Sequence, residues 1–216
     1  DGQPVLPGAA LLVMAEAAAI LRWPSVTVTI EDIAFERPLW LPGPMAVQLQ
    51  MTVEGEAATW EIHAISSSEA EAPDARWTRH ATGRVHPGPL TLPADEGPPP
   101  AATIEATPFH ATLADSGLQL AEPYRGLRRY AHQEDGITAE IEAAEPGPLA
   151  PMLRLDAALQ VAALLVPNTG VRVPVTVGRV ALAPLPAAFR VRARRRAADG
   201  DDVLADLSVW TMDDQA

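Results

Sequence analysis

The feature that most constrains the fold is a helix-forming segment near the start of the chain that is apolar on almost every side. Residues 8–21 read GAALLVMAEAAAIL, with Glu16 as the one charged residue, and Trp23-Pro24 ends the pattern. Such a helix offers water little to solvate, so it is stable only when other elements surround it. It is also too short to span a bilayer. The sequence therefore predicts a buried helix wrapped by the rest of the chain.

Segments of alternating polarity follow this helix and predict strands. The clearest example is Met45–Val53, in which apolar residues alternate with Gln and Thr. Glu54-Gly55-Glu56 is typical of a hairpin turn leading to the next strand. The predicted strands are Val26–Ile30, Met45–Val53, Thr59–Ser66 and Trp77–Val85.

The same order is partly repeated after a stretch rich in Pro and Gly, residues 87–100, which is typical of an extended linker. We expect a first unit at residues 1–88, a linker at 89–104 and a second unit at 105–216. Each unit would wrap its own hydrophobic helix with strands, which is an α+β architecture. The pattern alone would also allow a generic pair of α+β units in which the sheets do not wrap the helices. The predicted helices of the second unit are Pro108–Ser116 and Met152–Val166, and its predicted strands are Leu127–Gln133, Ile137–Ala143, Val171–Leu182, Phe189–Ala197 and Val203–Thr211.

Composition excludes several classes of function. The formal net charge of −12 argues against nucleic acid or an anionic membrane as the main partner. The chain has no Cys, which excludes disulfides and thiol chemistry and leaves the cytoplasm as the default compartment. All 16 basic residues are Arg, which indicates a GC-rich genome. The five His residues are scattered without metal-ligand spacing, so no metal site is predicted.

One carboxyl group on the second buried helix stands out as a candidate for chemistry. Asp156 lies in the sequence LDAALQ, and Gln160 follows four residues later, so the two share a face of the helix. Burying a carboxyl group costs free energy, and an aliphatic surrounding would raise its pKa. The alternative is a carboxylate at the helix surface near Arg154.

Pro7-Gly8 marks a second candidate position at the start of the first helix. The amide of Gly8 is an unpaired donor at the positive end of the helix dipole, and glycine lets another group approach the backbone closely. The alternative is an ordinary helix start.

At these residues the chain resembles the dehydratase domains of modular (type I) polyketide synthases. The family patterns are His-x-x-x-Gly-x-x-x-x-Pro in the first half and Asp-x-x-x-Gln/His in the second. Gly2 and Pro7 fit the end of the first pattern, and Asp156 with Gln160 fit the second. The family histidine would lie four residues before Gly2, ahead of Asp1.

The resemblance implies a double hot-dog fold, in which two tandem units each wrap an antiparallel sheet around a hydrophobic helix. It implies that water is removed from a β-hydroxyacyl thioester to give an α,β-unsaturated thioester. The histidine would take the α-proton, and Asp156, protonated, would give its proton to the departing hydroxyl. Gln160 would orient the acid or the hydroxyl, and Pro7 and Gly8 would bind the thioester carbonyl.

The resemblance also implies partners. The substrate would arrive on the phosphopantetheine arm of an acyl carrier protein, with no metal and no bound cofactor. Neighbouring synthase domains and a second copy of the chain in a homodimer complete the expected partners in a bacterial cytoplasm. Family members begin with strands ahead of the histidine and end with one beyond Thr211, so we expect the chain to be shortened at both ends.

The chain departs from the family pattern in two places. Residues 117–127 align with Gly-x-x-Tyr-Gly-Pro-x-Phe-x-Gly-Leu, but Leu120-Ala121-Glu122 replaces Tyr-Gly-Pro and Tyr124 replaces Phe. Leu120 and Tyr124 would line the substrate chamber. Ala150-Pro151 replaces a family His-Pro before the second helix. These changes leave open a pyran-forming cyclase, a double-bond isomerase or a non-catalytic scaffold.

An arginine-rich stretch predicts a further surface. Arg190, Arg192, Arg194 and Arg196 alternate along a predicted strand and would share one face. Because carrier proteins are typically acidic, Arg192 and Arg194 are candidates for docking the carrier. The alternative is a solvated face neutralised by Asp199, Asp201 and Asp202.

Overall fold

A computed structural model of the protein describes residues 2–90, 99–143, 147–166, 174–182, 184–199 and 202–212. The chain divides into two compact units. The first consists of Asp1–Pro93 with Pro174–Ala183, and the second of Ala94–Val173 with Pro184–Ala216.

The described residues form twelve strands, three α-helices and one 3-10 turn at Glu122–Tyr124. The helices are α1 (Gly8–Arg22), α2 (Thr107–Asp115) and α3 (Ala150–Ala163). The strands are β1 (Val5–Leu6), β2 (Val28–Phe35), β3 (Leu39–Trp40), β4 (Met45–Glu54), β5 (Ala57–Ser66), β6 (Thr78–Pro87), β7 (Ile104–Glu105), β8 (Leu127–His132), β9 (Gly136–Glu142), β10 (Thr176–Ala181), β11 (Ala188–Asp199) and β12 (Asp202–Thr211).

Helix α1 is the buried helix that the sequence predicts. Pro7 precedes it in an extended conformation (φ −67°, ψ 149°), where its missing N–H costs nothing. The helix ends at Arg22 because Pro24 cannot continue it. Ala15 and Ala19 are fully buried, and small side chains at these positions let the helix lie close to its sheet.

The first unit packs α1 against a five-stranded antiparallel sheet in the order β10-β2-β6-β5-β4. Strands β4 and β5 pair over their full length, with Leu49 opposite Ile62 and Met51 opposite Trp60. Ile62 and Trp60 are buried, so this face of the sheet forms the core. The short strands β1 and β3, which the sequence analysis missed, pair with each other.

Strand β10 corrects the predicted division of the chain at residues 88 and 105. The sequence analysis places Val171–Leu182 in the second unit, but β10 pairs with β2 of the first, with Val177 opposite Ile33. Residues 171–173 of that predicted strand lie outside the described residues, as do residues 91–98 of the predicted linker. Ile104, assigned to the linker, begins β7.

The second unit packs α3 against a sheet in the order β12-β11-β9-β8-β7. All of its strand pairs are antiparallel. The core joins one side of α3 to the inward residues of the central strands, among them Ala157 and Val161 from the helix and Ile141, Phe189 and Val191 from the strands. One apolar helix against one antiparallel sheet in each unit confirms the expected α+β, double hot-dog fold.

Gly83 provides a test of this packing, because an added Cβ would lie 2.6 Å from Cζ2 of Trp60. Trp60 is almost fully buried and cannot move away without disturbing the core. We expect Gly83→Ala to lower the free energy of unfolding by about 1–3 kcal/mol, measured by urea unfolding. Gly178→Ala is the matched control, since Gly178 lies in the same sheet with nothing within 4 Å of its added Cβ. An equal loss in both variants would contradict the clash.

Candidate active site

Asp156 lies in the middle of α3, on the edge of its apolar side. Its neighbours Leu155 and Ala157 are buried, and Asp156 itself is partly buried. Burial raises the pKa of Asp156 above the ordinary 3.8, because the charged form loses hydration. This matches the sequence-based expectation and gives the group a proton to donate nearer neutral pH.

Gln160 is the direct partner of Asp156, as the four-residue spacing predicts. Its Nε2 donates to Oδ2 of Asp156 at 2.8 Å and to the backbone carbonyl of Tyr124 at 2.9 Å. The first bond favours the carboxylate and so lowers the pKa of Asp156, an effect smaller than that of burial. Oε1 of Gln160 is buried and accepts no hydrogen bond from the described residues. The amide therefore presents a spare acceptor beside the acid.

Tyr124 approaches the acid through both its backbone and its side chain. It ends the 3-10 turn Glu122–Tyr124, and its carbonyl receives Gln160. Burial raises the pKa of the Tyr124 phenol, and the negative charge of Asp156 raises it further. The sequence analysis chose Tyr124 for its ring and missed the carbonyl, since a backbone contact has no side-chain signature in a sequence.

Gly126 explains how this turn lies so close to α3. An added Cβ at Gly126 would be 3.0 Å from Cβ of Ala157, the residue that follows Asp156. The amide of Glu142 donates to the Gly126 carbonyl at 2.8 Å, which ties the turn to β9. The glycine and alanine of this pair let the chain approach the helix beside the acid.

Leu120, the other predicted lining residue, lies partly buried at the start of the same turn. Its carbonyl accepts a hydrogen bond from Nε of Arg125 at 3.0 Å. The structure thus brings Asp156, Gln160 and Tyr124 together, and places Leu120 four residues before Tyr124 on the same short segment. The sequence analysis did not single out Arg125.

Arg154 is not the partner of Asp156. Its Nη1 donates to the backbone carbonyl of Leu185 at 2.5 Å. Within the residues that the structure describes, the bond recorded for the Asp156 carboxyl is the one from Gln160. A carboxylate paired with Arg154 at the helix surface is therefore not what the structure shows.

Pro7 and Gly8 lie in the first unit, at the start of α1. An added Cβ at Gly8 would be 3.1 Å from Cζ of Phe35, so the aromatic ring occupies the space that glycine leaves. Packing of Phe35 is therefore one reason for glycine at this position. A role for its amide toward a carbonyl stays a prediction.

The arginine stretch on β11 forms ion pairs with acids on or beside the neighbouring strands. The side chains of Asp199, Asp201 and Asp202, which the sequence analysis named as neutralising acids, lie outside what the structure describes. Arg190, Arg192 and Arg194 lie on the sheet face opposite α3, since the intervening Val191 and Ala193 are buried in the core. The ion pairs of this stretch are Arg190 with Glu140 at 3.6 Å, Arg194 with Asp135 at 3.0 Å and Arg196 with Asp206. Arg192 lies over the ring of Trp210 at 5.2 Å. Arg190 has a side chain only 10% exposed, so the stretch is not four free guanidinium groups.

The described residues contain no group of three or more His, Asp or Glu side chains placed to hold a metal ion. No α-helix among them combines the length and the apolar character needed to cross a membrane.

Two family profiles match the chain. The "Polyketide synthase dehydratase domain" profile matches residues 1–67, and the "Polyketide synthase dehydratase N-terminal domain" profile matches residues 87–216. Among curated proteins, the spectinabilin polyketide synthase system protein NorA of Streptomyces orinoci is 35% identical, over 88% of this chain and 10% of its own length. Erythronolide synthase EryA2 of Saccharopolyspora erythraea is 31% identical, over 76% of this chain and 5% of its own length. The chain thus spans a tenth or less of these relatives.

Solved structures show the same fold. The dehydratase domain from the CurJ module of curacin polyketide synthase superposes with a TM-score of 0.81 at 18% identity, covering 99% of this chain and 79% of that one. The erythromycin dehydratase superposes with a TM-score of 0.76 at 24% identity, covering 98% of this chain and 82% of that one.

The raised pKa of Asp156 predicts how stability depends on pH. The contribution of the neutral Asp156 carboxyl to stability is fully present below the pKa that Asp156 has in the unfolded chain. It is lost as pH rises through the higher pKa that Asp156 has in the folded protein. Asp156→Asn has no charge to bury, so we expect it to be more stable than the wild type at about pH 8. The difference should shrink below pH 3.8, the ordinary aspartate value. Urea unfolding at several pH values measures this, and a variant less stable at alkaline pH would contradict it.

Proposed function

Because the chain belongs to the dehydratase domains of polyketide synthases, we propose that it removes water from a β-hydroxyacyl thioester held on an acyl carrier protein. The product is the α,β-unsaturated thioester. The observation that carries the proposal is the pair Asp156 and Gln160, which stand at the family's Asp-x-x-x-Gln positions and are hydrogen-bonded at 2.8 Å.

Asp156 acts as the general acid. Loss of water breaks the bond between Cβ and the hydroxyl, and that hydroxyl leaves as water only if it receives a proton. A partly buried carboxyl with a raised pKa holds such a proton at higher pH than an exposed aspartate. Gln160 fixes the carboxyl through Oδ2, and its Oε1, which accepts no hydrogen bond from the described residues, is a suitable acceptor for the substrate hydroxyl.

A base takes the proton from Cα, and the electron pair of that C–H bond forms the new double bond as the hydroxyl leaves. The family pattern assigns this step to the histidine four residues before the glycine matched by Gly2. For Pro7 and Gly8 we propose binding of the thioester carbonyl. The support is the position of Gly8 in the first turn of α1, where backbone N–H groups are not used within the helix.

Delivery on a phosphopantetheine arm follows from the family, as do neighbouring synthase domains. We propose both for this chain, together with a homodimer. The reaction as written moves two protons and needs no electron acceptor. The unsaturated thioester and water together have the composition of the substrate, because the proton taken from Cα makes up for the one that Asp156 gives. We therefore propose that no bound cofactor takes part.

The main alternative is a domain that has lost or redirected its chemistry. Replacement of Tyr-Gly-Pro by Leu120-Ala121-Glu122 favours a pyran-forming cyclase, an isomerase or a scaffold. The retained acid and its amide partner favour a catalytic domain over a scaffold, because a scaffold has no use for a partly buried carboxyl that costs stability near neutral pH.

Asp156→Asn tests the role of the acid. The substitution preserves the size of the side chain but removes the proton, so we expect dehydration to fall at least ~100-fold. Mass spectrometry of the acyl product, made by the native polypeptide from a carrier-bound β-hydroxyacyl substrate, measures this.

Asp115→Asn is the matched control, since Asp115 is exposed at the end of α2 in the same unit. It should keep the wild-type rate. Equal rates for Asp156→Asn and the wild type would exclude Asp156 as the acid. A ring-closed or isomerised product from the wild type would favour the alternative chemistries.

Docking of the carrier on Arg192 and Arg194 is a separate proposal. Two observations support this proposal. Both arginines lie on the sheet face opposite α3. An acidic carrier also needs a local positive potential to approach a chain of net charge −12. Beside their contacts with Trp210 and Asp135, the side chains of Arg192 and Arg194 are partly exposed.

Replacing both Arg192 and Arg194 with Gln tests docking. We expect KM for a carrier-bound substrate to rise about threefold or more and to become less sensitive to salt, because rim charges act mainly on association. Turnover of a small free thioester should not change. The control replaces Arg22, which also lies over a tryptophan, and the exposed Arg84 in the first unit. Equal effects on both substrates would exclude a docking role.

A further inference from the structure

One side chain closes the turn that faces the acid. Nε of Arg125 donates to the carbonyl of Leu120, five residues earlier, at 3.0 Å. The backbone amide of Arg125 donates to the Glu122 carbonyl at 3.1 Å, and its Nη1 lies 3.8 Å from Oε2 of Glu122. Arg125 thus joins both ends of the segment that replaces the family's Tyr-Gly-Pro.

This turn fixes the position of the Tyr124 carbonyl oxygen. Gln160 Nε2 donates to it at 2.9 Å and to Oδ2 of Asp156 at 2.8 Å. The two N–H bonds of a planar amide diverge at a fixed angle. Both acceptors must therefore be in place for the Gln160 amide to be held in one orientation. Moving the Tyr124 carbonyl would free the amide to rotate away from the acid.

Different contacts hold the two ends of the turn. Its C-terminal end is held where Gly126 packs against Ala157 and its carbonyl receives Glu142. Its N-terminal end at Leu120 is held by Arg125, and Tyr124 N donates to the Ala121 carbonyl at 2.9 Å within the turn. The Arg125 side chain is 49% exposed, so water competes for its bond and the contact is of modest strength.

We propose that Arg125 is a positioning residue for dehydration: by closing the 120–125 turn it holds the Tyr124 carbonyl against Gln160, and thereby holds Gln160 on Asp156. The role of Asp156 as the acid rests on the proposed function. The chain of contacts from Arg125 to Asp156 is independent of that function.

Two substitutions at Arg125 separate its hydrogen bond from its charge. Arg125→Met keeps the length of the stem and removes both. Arg125→Gln also removes the charge. The Nε2 of the introduced glutamine, however, is as many bonds from Cα as the arginine Nε, so it can still donate to the Leu120 carbonyl. Arg128→Met is the matched control, an exposed arginine three residues on whose recorded partner is Glu142 at 3.6 Å.

The first readout is the titration of the Asp156 carboxyl by carbon NMR, with its signal assigned through Asp156→Asn. Because the bond from Gln160 lowers the pKa of Asp156, weakening it in Arg125→Met should raise that pKa. Arg125→Gln and Arg128→Met should titrate like the wild type. Circular dichroism checks folding, and Arg125→Thr replaces the Met variant if that one does not fold.

The second readout is the rate of dehydration against pH in the native polypeptide. We expect kcat of Arg125→Met to fall about fivefold with KM unchanged, the size typical of one lost hydrogen bond. The alkaline limb, where the acid loses its proton, should move to higher pH. Arg125→Gln should restore most of the rate.

Equal changes in the Met and Gln variants would show that charge is what matters and would overturn the proposal, as would the absence of any change in Arg125→Met. If the titration shifts as expected while the wild type forms no unsaturated product, then the proposed function fails, while the hold of Arg125 on Gln160 and Asp156 stands.

Discussion

Both units of this protein are organised by the need to cover a helix that is apolar on almost every side. Helices α1 and α3 gain stability only when a sheet lies against them, and the close approach depends on small residues. Ala15, Ala19 and Ala157 are buried at the contacts, and Gly126 lets the chain come within van der Waals contact of α3. Polar groups on α3 are therefore restricted to its margin, and the candidate acid lies there.

The Asp156 carboxyl at that margin is kept in place by few partners, and this suits it to the role of general acid that we propose. One amide hydrogen bond compensates Asp156 in part, and burial still dominates its pKa. A stronger set of donors, or an arginine, would hold the group as a carboxylate with no proton to give. The weak compensation by Gln160 leaves the acid both oriented and protonatable.

The local parts of the fold could be predicted from the sequence, and the long-range parts could not. Helix α1 was expected at residues 8–21 and found at Gly8–Arg22, since apolar period and a following proline are local signals. The sheet that β10 joins was predicted wrongly, because strand pairing depends on segments more than 140 residues apart, as in Val177 and Ile33.

In the candidate site the same limit applies. The pairing of Asp156 with Gln160 follows from helix geometry, but the Tyr124 carbonyl and the Arg125 bond depend on how a turn packs on α3. The acids that pair with Arg190 and Arg194 lie on or beside β9, which no spacing along β11 could indicate. The Phe35 ring against Gly8 is a contact of the same kind.

Strand β10 has a consequence for how the polypeptide is made and how it can be recombined. The first sheet is completed by residues 176–181, which leave the ribosome only after α2, α3 and the whole of β7–β9 have been synthesised. The N-terminal unit therefore cannot reach its full sheet during its own translation, although domains generally fold in order of synthesis. A chimera that exchanges one half of the protein at residue 93 would separate β2 from its native neighbour, so a clean exchange must carry the segment 174–183 with the N-terminal half.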